Sequence, residues 1–138
     1  MKRVKFLILF ISIIFFAGCN DSKNDIINKN KLTSNSWYES NSINEIYRMH
    51  TFTDNEYIIY TYASKDFSEI IDTKVLKILK YDEKNDKFDA IYDGKKTTCS
   101  YTINGDEYLN FGCSPNVENS LNCFGAWKDS SLAIANDF

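Results

Sequence analysis

From Leu32 onward the chain is written in short runs of aromatic and β-branched residues, each broken by Asp, Asn, Gly or Lys after about a dozen residues. Runs of that length and composition favour strands, and their regular spacing favours strands joined in sequence order. The pattern predicts strands near 36–41, 46–53, 56–63, 73–81, 87–92, 97–103, 108–113 and 123–128, with a further one near 131–136. The expected fold class is therefore all-β, an antiparallel meander of about eight strands in a barrel or a β-sandwich. One segment offers another reading. "DFSEIIDTKVLKILKY" carries a capping-box pattern from Asp66 to Glu69 and helix-like spacing at Ile71, Val75, Ile78 and Leu79, which would make the domain α+β if 67–80 were a helix. The neighbouring "YDEKNDKFDAIYDG" reads as a hairpin, and this favours a strand at 73–81.

Side chains alternate along a strand, so a turn fixes which residues share a face. In "YRMHTFTDNEYIIYTY", a two-residue turn at Asp54-Asn55 groups Tyr47, Met49, Ile58, Tyr60 and Tyr62 on one face. Arg48, His50, Phe52, Tyr57, Ile59 and Thr61 take the other. The first set is apolar and is expected to look inward; the second is mixed and is expected to look outward. In "CSYTINGDEYLNFGC", an odd-numbered loop puts Tyr101 and Ile103 on one face with Leu109 and Phe111. A loop at 105–107 sets Cys99 opposite Cys113, and a loop at 103–105 sets Cys99 opposite Leu109.

The N-terminus has a different logic. Lys2, Arg3 and Lys5 precede an apolar run from Phe6 to Ala17, and small residues follow. That order is the order of a secretory signal, and the run is shorter than the ~20 residues that a spanning helix needs. "FAGC", ending at Cys19, resembles the lipobox of bacterial lipoproteins, with Phe16 where leucine is usual. The resemblance implies cleavage before Cys19, lipidation of Cys19 and a mature protein anchored to a membrane by acyl chains. With Asn20 after the cysteine, it further implies the cell envelope, with the periplasmic side of an outer membrane favoured where the host has one. The expected organisation is a signal at 1–18, a polar tether at 19–31 and a single β domain at 32–138.

Charge and motif content narrow the function. The full chain carries a formal charge of −3, and removal of a signal with three basic and no acidic residues makes the mature chain −6. An acidic domain gains nothing from counterion release, so nucleic acid is not an expected partner. The sequence holds one histidine, His50, and no nucleophile elbow, phosphate loop or paired-ligand spacing. No catalytic residue, metal site or cofactor is expected, and His50 reads as a surface residue. The carboxylates of "DEKNDKFD" lack the ordered spacing of a calcium loop and read as a hairpin tip. Export favours disulfides, and Cys113 and Cys123 flank the polar loop "SPNVENSLN", so the expected bridge is Cys113–Cys123 with Cys99 free. Cys99–Cys113 is the rival pairing under the 105–107 loop. Tyr47, Tyr60 and Tyr62, on the face expected to look inward, are the candidate ligand wall.

"NSWYES", "MHTFTDNEYIIY" and "CSYTINGDEYLNF" resemble the strands and turns of the small lipocalin-like barrels of bacterial lipoproteins, although Asn35-Ser36 precede Trp37 where lipocalins carry a glycine two residues earlier. The resemblance implies a binding module without a reaction. A small apolar ligand held in the barrel is the first expectation. An envelope protein that acts on another protein, such as a hydrolase inhibitor, is the alternative.

Overall fold

Polar turns set the register of every hairpin. Asp54 and Asn55 reverse the chain as expected, with the Thr53 N–H donating to the Glu56 carbonyl at 2.8 Å. Asp93 and Gly94 turn it again at φ 49° and 74°, the left-handed backbone that a two-residue hairpin of this hand requires. The computed structural model describes residues 28–116 and 123–137. In them, β1 (Ser36–Asn41), β2 (Ile46–Phe52), β3 (Glu56–Tyr62), β4 (Ile70–Asp82), β5 (Lys87–Tyr92), β6 (Lys95–Asn104), β7 (Tyr108–Ser114) and β8 (Phe124–Trp127) pair antiparallel in chain order. β8 returns to β1 and closes the barrel. The expected all-β meander is thus present as a closed, lipocalin-like barrel, and closure leaves no sheet edge.

Segment 70–82 is a strand. Ile71, Val75 and Leu79 lie on its exposed side, while Leu76 and Ile78 are buried. Their four-residue spacing is twice the strand period, so it mimics a helix without making one. Two short helices depart from expectation. Residues 28–34 form α1, which takes up the last part of the expected tether. Ser130–Ala135 form α2 where a ninth strand was expected; Asp129 caps it by accepting from the Ser131 N–H. The signal, Cys19 and most of the loop between Cys113 and Cys123 lie outside the described residues.

α1 plugs one end of the barrel. Leu32 is fully buried, and its carbonyl accepts from the Trp37 indole at 3.1 Å. Around it α1 clasps the three turns at that end. Lys29 pairs with Asp54 at 3.3 Å and Glu83 at 3.2 Å, Asn28 donates to Asp86 at 3.3 Å, and Lys31 pairs with Asp106. Above the plug, inward rings fill the barrel: Phe52 stacks on Tyr57 at 4.4 Å, and Phe111 touches both, together with Phe88 and Phe124. These rings form one continuous core.

The faces of the β2–β3 hairpin are the reverse of those expected. The register is right, with Phe52 opposite Tyr57 and Met49 opposite Tyr60, but His50, Phe52, Tyr57 and Ile59 point into the core. Tyr47, Met49, Ile58, Tyr60 and Tyr62 face outward. Parity separates the two sets and does not say which is inside; the inner set wins because it joins Trp37, Phe88 and Phe111. The apolar outer set is partly covered by the β3–β4 loop, where Phe67 packs edge-on against Tyr38 and Tyr62 at 5.2 and 5.3 Å.

The disulfide is also corrected. The loop at 105–107 pairs Asn104 with Tyr108 and so places Cys99 opposite Cys113. The bond joins Cys99 to Cys113, and Cys123 is free and exposed, in place of the expected Cys113–Cys123 bridge. Cys113 faces the barrel interior beside Cys99, whereas Cys123 lies on the outer surface against Gly112.

Candidate functional site

Two short i, i+2 patterns build a polar cluster inside the barrel. β1 turns Trp37 and Glu39 inward, and β2 turns Arg48 and His50 inward directly opposite them, Trp37 against His50 and Glu39 against Arg48. Tyr57 follows on β3, and Phe124 of β8 lays its ring on the His50 ring at 4.1 Å. His50 is completely buried. Its Nδ1 lies 2.7 Å from the Tyr57 hydroxyl and its Nε2 3.0 Å from Glu39 Oε2. A carboxylate only accepts, so Nε2 carries the proton and donates to Glu39, and Nδ1 accepts from the Tyr57 hydroxyl. Every polar atom of the imidazole is then satisfied with the ring neutral.

The electrostatics agree with that assignment. Burial lowers the His50 pKa below its ordinary 6.5, against the upward pull of Glu39, and Arg48 lowers it further. Burial also holds the Tyr57 phenol well above its ordinary range, with Glu39 adding to the effect. Tyr57 therefore stays a hydrogen-bond donor. A neutral imidazole held between two partners and a phenol kept protonated give the interior a fixed hydrogen-bond order from Tyr57 through His50 to Glu39.

Toward the end opposite α1 the cluster becomes charged and less complete. The Arg48 side chain is 19% exposed and that of Glu39 12%, with Nη1 and Oε2 3.6 Å apart. Among the described residues the Arg48 guanidinium makes no hydrogen bond, and Glu39 Oε1 has no hydrogen-bond partner. Lys74, opposite Ile59 on β4, adds a second half-buried cation on the same inner face, 4.0 Å from Asp72. The lower barrel is thus a filled aromatic core, and its other end carries guanidinium donors and a carboxylate acceptor facing the lumen. Among the described residues there is no cluster of three or more His, Cys, Asp and Glu that could hold a metal ion.

The residues expected to line a ligand cavity do not come together inside. Tyr47 is buried on the outer surface, its hydroxyl donating to Ser42 at 3.3 Å. Tyr62 is covered by Phe67, and Tyr60 lies half-buried between Met49 and Thr73 on the outer wall. Glu39, Arg48 and Tyr57 were not singled out from the sequence as site residues, and His50 was placed on the surface. A usable cue was present: Trp37-x-Glu39 on one strand and Arg48-x-His50 on the next, since the strand that buries its tryptophan must also turn in the residue two places on. A groove of about 520 Å³ over the outside of β6–β8 is lined mainly by Thr98, Ser100, Asn110, Gly112 and the free Cys123, small groups with no charge among them. Comparison of the chain with protein-family models, curated proteins and solved structures finds no match.

Proposed function

We propose that this chain is a bacterial envelope lipoprotein, anchored through Cys19, that binds a small polar ligand at the end of its barrel opposite α1. The observation that carries the binding reading is the lumen-facing Arg48–Glu39 pair, partly exposed, with guanidinium donors and one carboxylate oxygen left to solvent. Both groups keep contact with solvent and still need partners, which water supplies until a ligand takes its place. A ligand that offers an acceptor to Arg48 and a donor to Glu39 would meet both needs, and an amide or peptide-like group carries the two side by side. The expected apolar ligand is replaced by a polar one because the tyrosine wall lies outside the barrel and rings fill the lower lumen. The neutral His50, hydrogen-bonded to Glu39, holds the carboxylate in place. The reading is of a binding module, and no reaction is assigned to it.

The experiment is native mass spectrometry of protein extracted from its own membranes. The wild type should carry a diacylglycerol-type mass on Cys19 and a co-purifying small molecule, and Arg48→Gln should keep the lipid and lose the molecule. Wild-type protein with nothing bound, or Arg48→Gln that retains the molecule, would overturn the site. A correctly exported chain without lipid on Cys19 would overturn the anchor.

A further inference from the structure

The outer wall of β4 is apolar where a barrel facing water should be polar. Ile71, Val75 and Leu79 are 62, 46 and 44% exposed on one strand, and Ile58 sits directly opposite Val75 on β3. Tyr60, half-buried, flanks them on the same wall. Lysines border this patch although the chain as a whole is acidic. Lys77 lies between Val75 and Leu79 with Glu56 opposite it, and Lys80 follows at the bulge opposite Asp89; both lysines are exposed. Aliphatic side chains, a tyrosine and lysines on one surface match the three layers of an anionic lipid interface: acyl chains, the headgroup level and phosphates.

The path of the chain says why this face meets lipid. The described residues begin at Asn28, whose side chain donates to Asp86 in the β4–β5 turn, and Lys29 next to it pairs with Glu83 in the same turn. The chain therefore leaves the barrel beside the end of β4, where Leu79 lies. The residues from Cys19 to Asn28 can span at most about 30 Å at the ~3.3–3.6 Å per residue of an extended chain. An anchor at Cys19 thus keeps the β4 wall within reach of the bilayer surface.

We infer that the outer face of β4, centred on Val75 and Leu79, rests on the anionic lipid surface to which the chain is tethered, with Lys77 and Lys80 reaching phosphates. This rests on the anchored-lipoprotein reading above. It lays the barrel on its side and keeps its charged end clear of the membrane.

The test uses full-length lipidated protein reconstituted into phosphatidylethanolamine–phosphatidylglycerol vesicles with brominated acyl chains. Val75→Trp places a fluorophore on the patch, and Asn110→Trp places one on the exposed wall of β7; the wild-type emission of Trp37 and Trp127 is subtracted. Emission at position 75 should be lost to the brominated chains and emission at 110 retained. Lys77→Glu with Lys80→Glu should restore emission at 75. Equal quenching at both positions, or none at 75, would overturn the inference. In the second case a protein adduct from a photoreactive phenylalanine at 75 in intact cells would assign the face to a protein partner. The lipid mass on the same preparation separates the two failures: protein without lipid fails the anchoring reading, and lipidated protein without quenching at 75 fails this inference alone.

Discussion

Replacing His50 by alanine should be among the most damaging single changes in the barrel. The side chain is completely buried, stacks on Phe124 and bridges Tyr57 to Glu39. Truncation removes a ring of roughly leucine size from a packed core, which by itself costs about 2–5 kcal/mol. It also strands the Tyr57 hydroxyl and removes the neutral partner of Glu39, each a loss of the order of 1–3 kcal/mol when left unpaired. These losses overlap, because a water entering the cavity would recover part of the second, so the net expectation is about 3–5 kcal/mol. Tyr60→Ala, on the outer wall, loses cross-strand contact with Met49 and should cost about 0.5–1.5 kcal/mol. Urea unfolding measures both, and at an m-value of roughly 1–1.5 kcal/mol/M the His50 variant should move its midpoint by ~2–5 M. That is a large share of a small domain's stability, so Tyr57→Phe supplies a gentler second test. Removing the hydroxyl alone should cost about 1–2 kcal/mol without collapsing the fold. A near-neutral His50→Ala together with a costly Tyr60→Ala would refute the inward placement of His50 and, with it, the whole interior cluster.

Acidification should destabilise the domain through His50. Its folded pKa lies below the ordinary 6.5, so the unfolded chain binds the proton more readily. Stability is then full above about 6.5 and falls with decreasing pH toward the folded pKa, by at most about 1.4 kcal/mol per pH unit for one group. His50→Gln should flatten the slope of unfolding free energy between pH 6.5 and 5, and an unchanged slope would place the titrating group elsewhere. Non-reducing peptide mapping should find Cys99 bridged to Cys113 and Cys123 open to alkylation. Cys99→Ser should cost about 2–4 kcal/mol through the lost cross-link, while Cys123→Ser should stay within about 0.5 kcal/mol. Gly125→Ala should cost about 1–3 kcal/mol, because the Tyr108 ring lies across the glycine where the new methyl would go, and the near-ultraviolet signal of the Tyr108–Trp127 pair should change with it.

Much of the architecture was legible in the chain. Strand positions followed from short apolar runs, and hairpin registers followed from turn residues such as Asp54-Asn55. The loop at 105–107, one of two registers that the sequence allowed, puts Cys99 opposite Cys113, although the polar loop beyond Cys113 pointed to Cys123 as its partner. What stayed illegible was the sign of a face. Both sides of the β2–β3 hairpin carry aromatic residues, and choosing the more apolar one assumes that the outer wall is polar. Here the outer wall is not polar: Phe67 covers part of it, and the β4 patch extends it. The same assumption hid the site, because a buried Arg48–Glu39–His50 set reads along one strand as ordinary surface charge. Only the hairpin pairing of β1 with β2 brings the opposite charges together. At the C-terminus Leu132, Ala133 and Ile134 are too few to separate a last strand from the single helical turn that Asp129 caps.

The central claim is that the charged end of the barrel, through Arg48 and Glu39, is where the protein meets its ligand. Nitrogen-15 resonances of the Arg48 Nε–H and the His50 ring report on that place alone, since the chain holds one histidine. With lipidated protein in nanodiscs, titration with an N-acetylated dipeptide amide should shift the Arg48 and His50 signals together, with backbone changes confined to Glu39, Arg48 and Thr61. Shifts confined to Tyr60, Val75 and the outer wall, with the Arg48 and His50 signals unmoved, would contradict it.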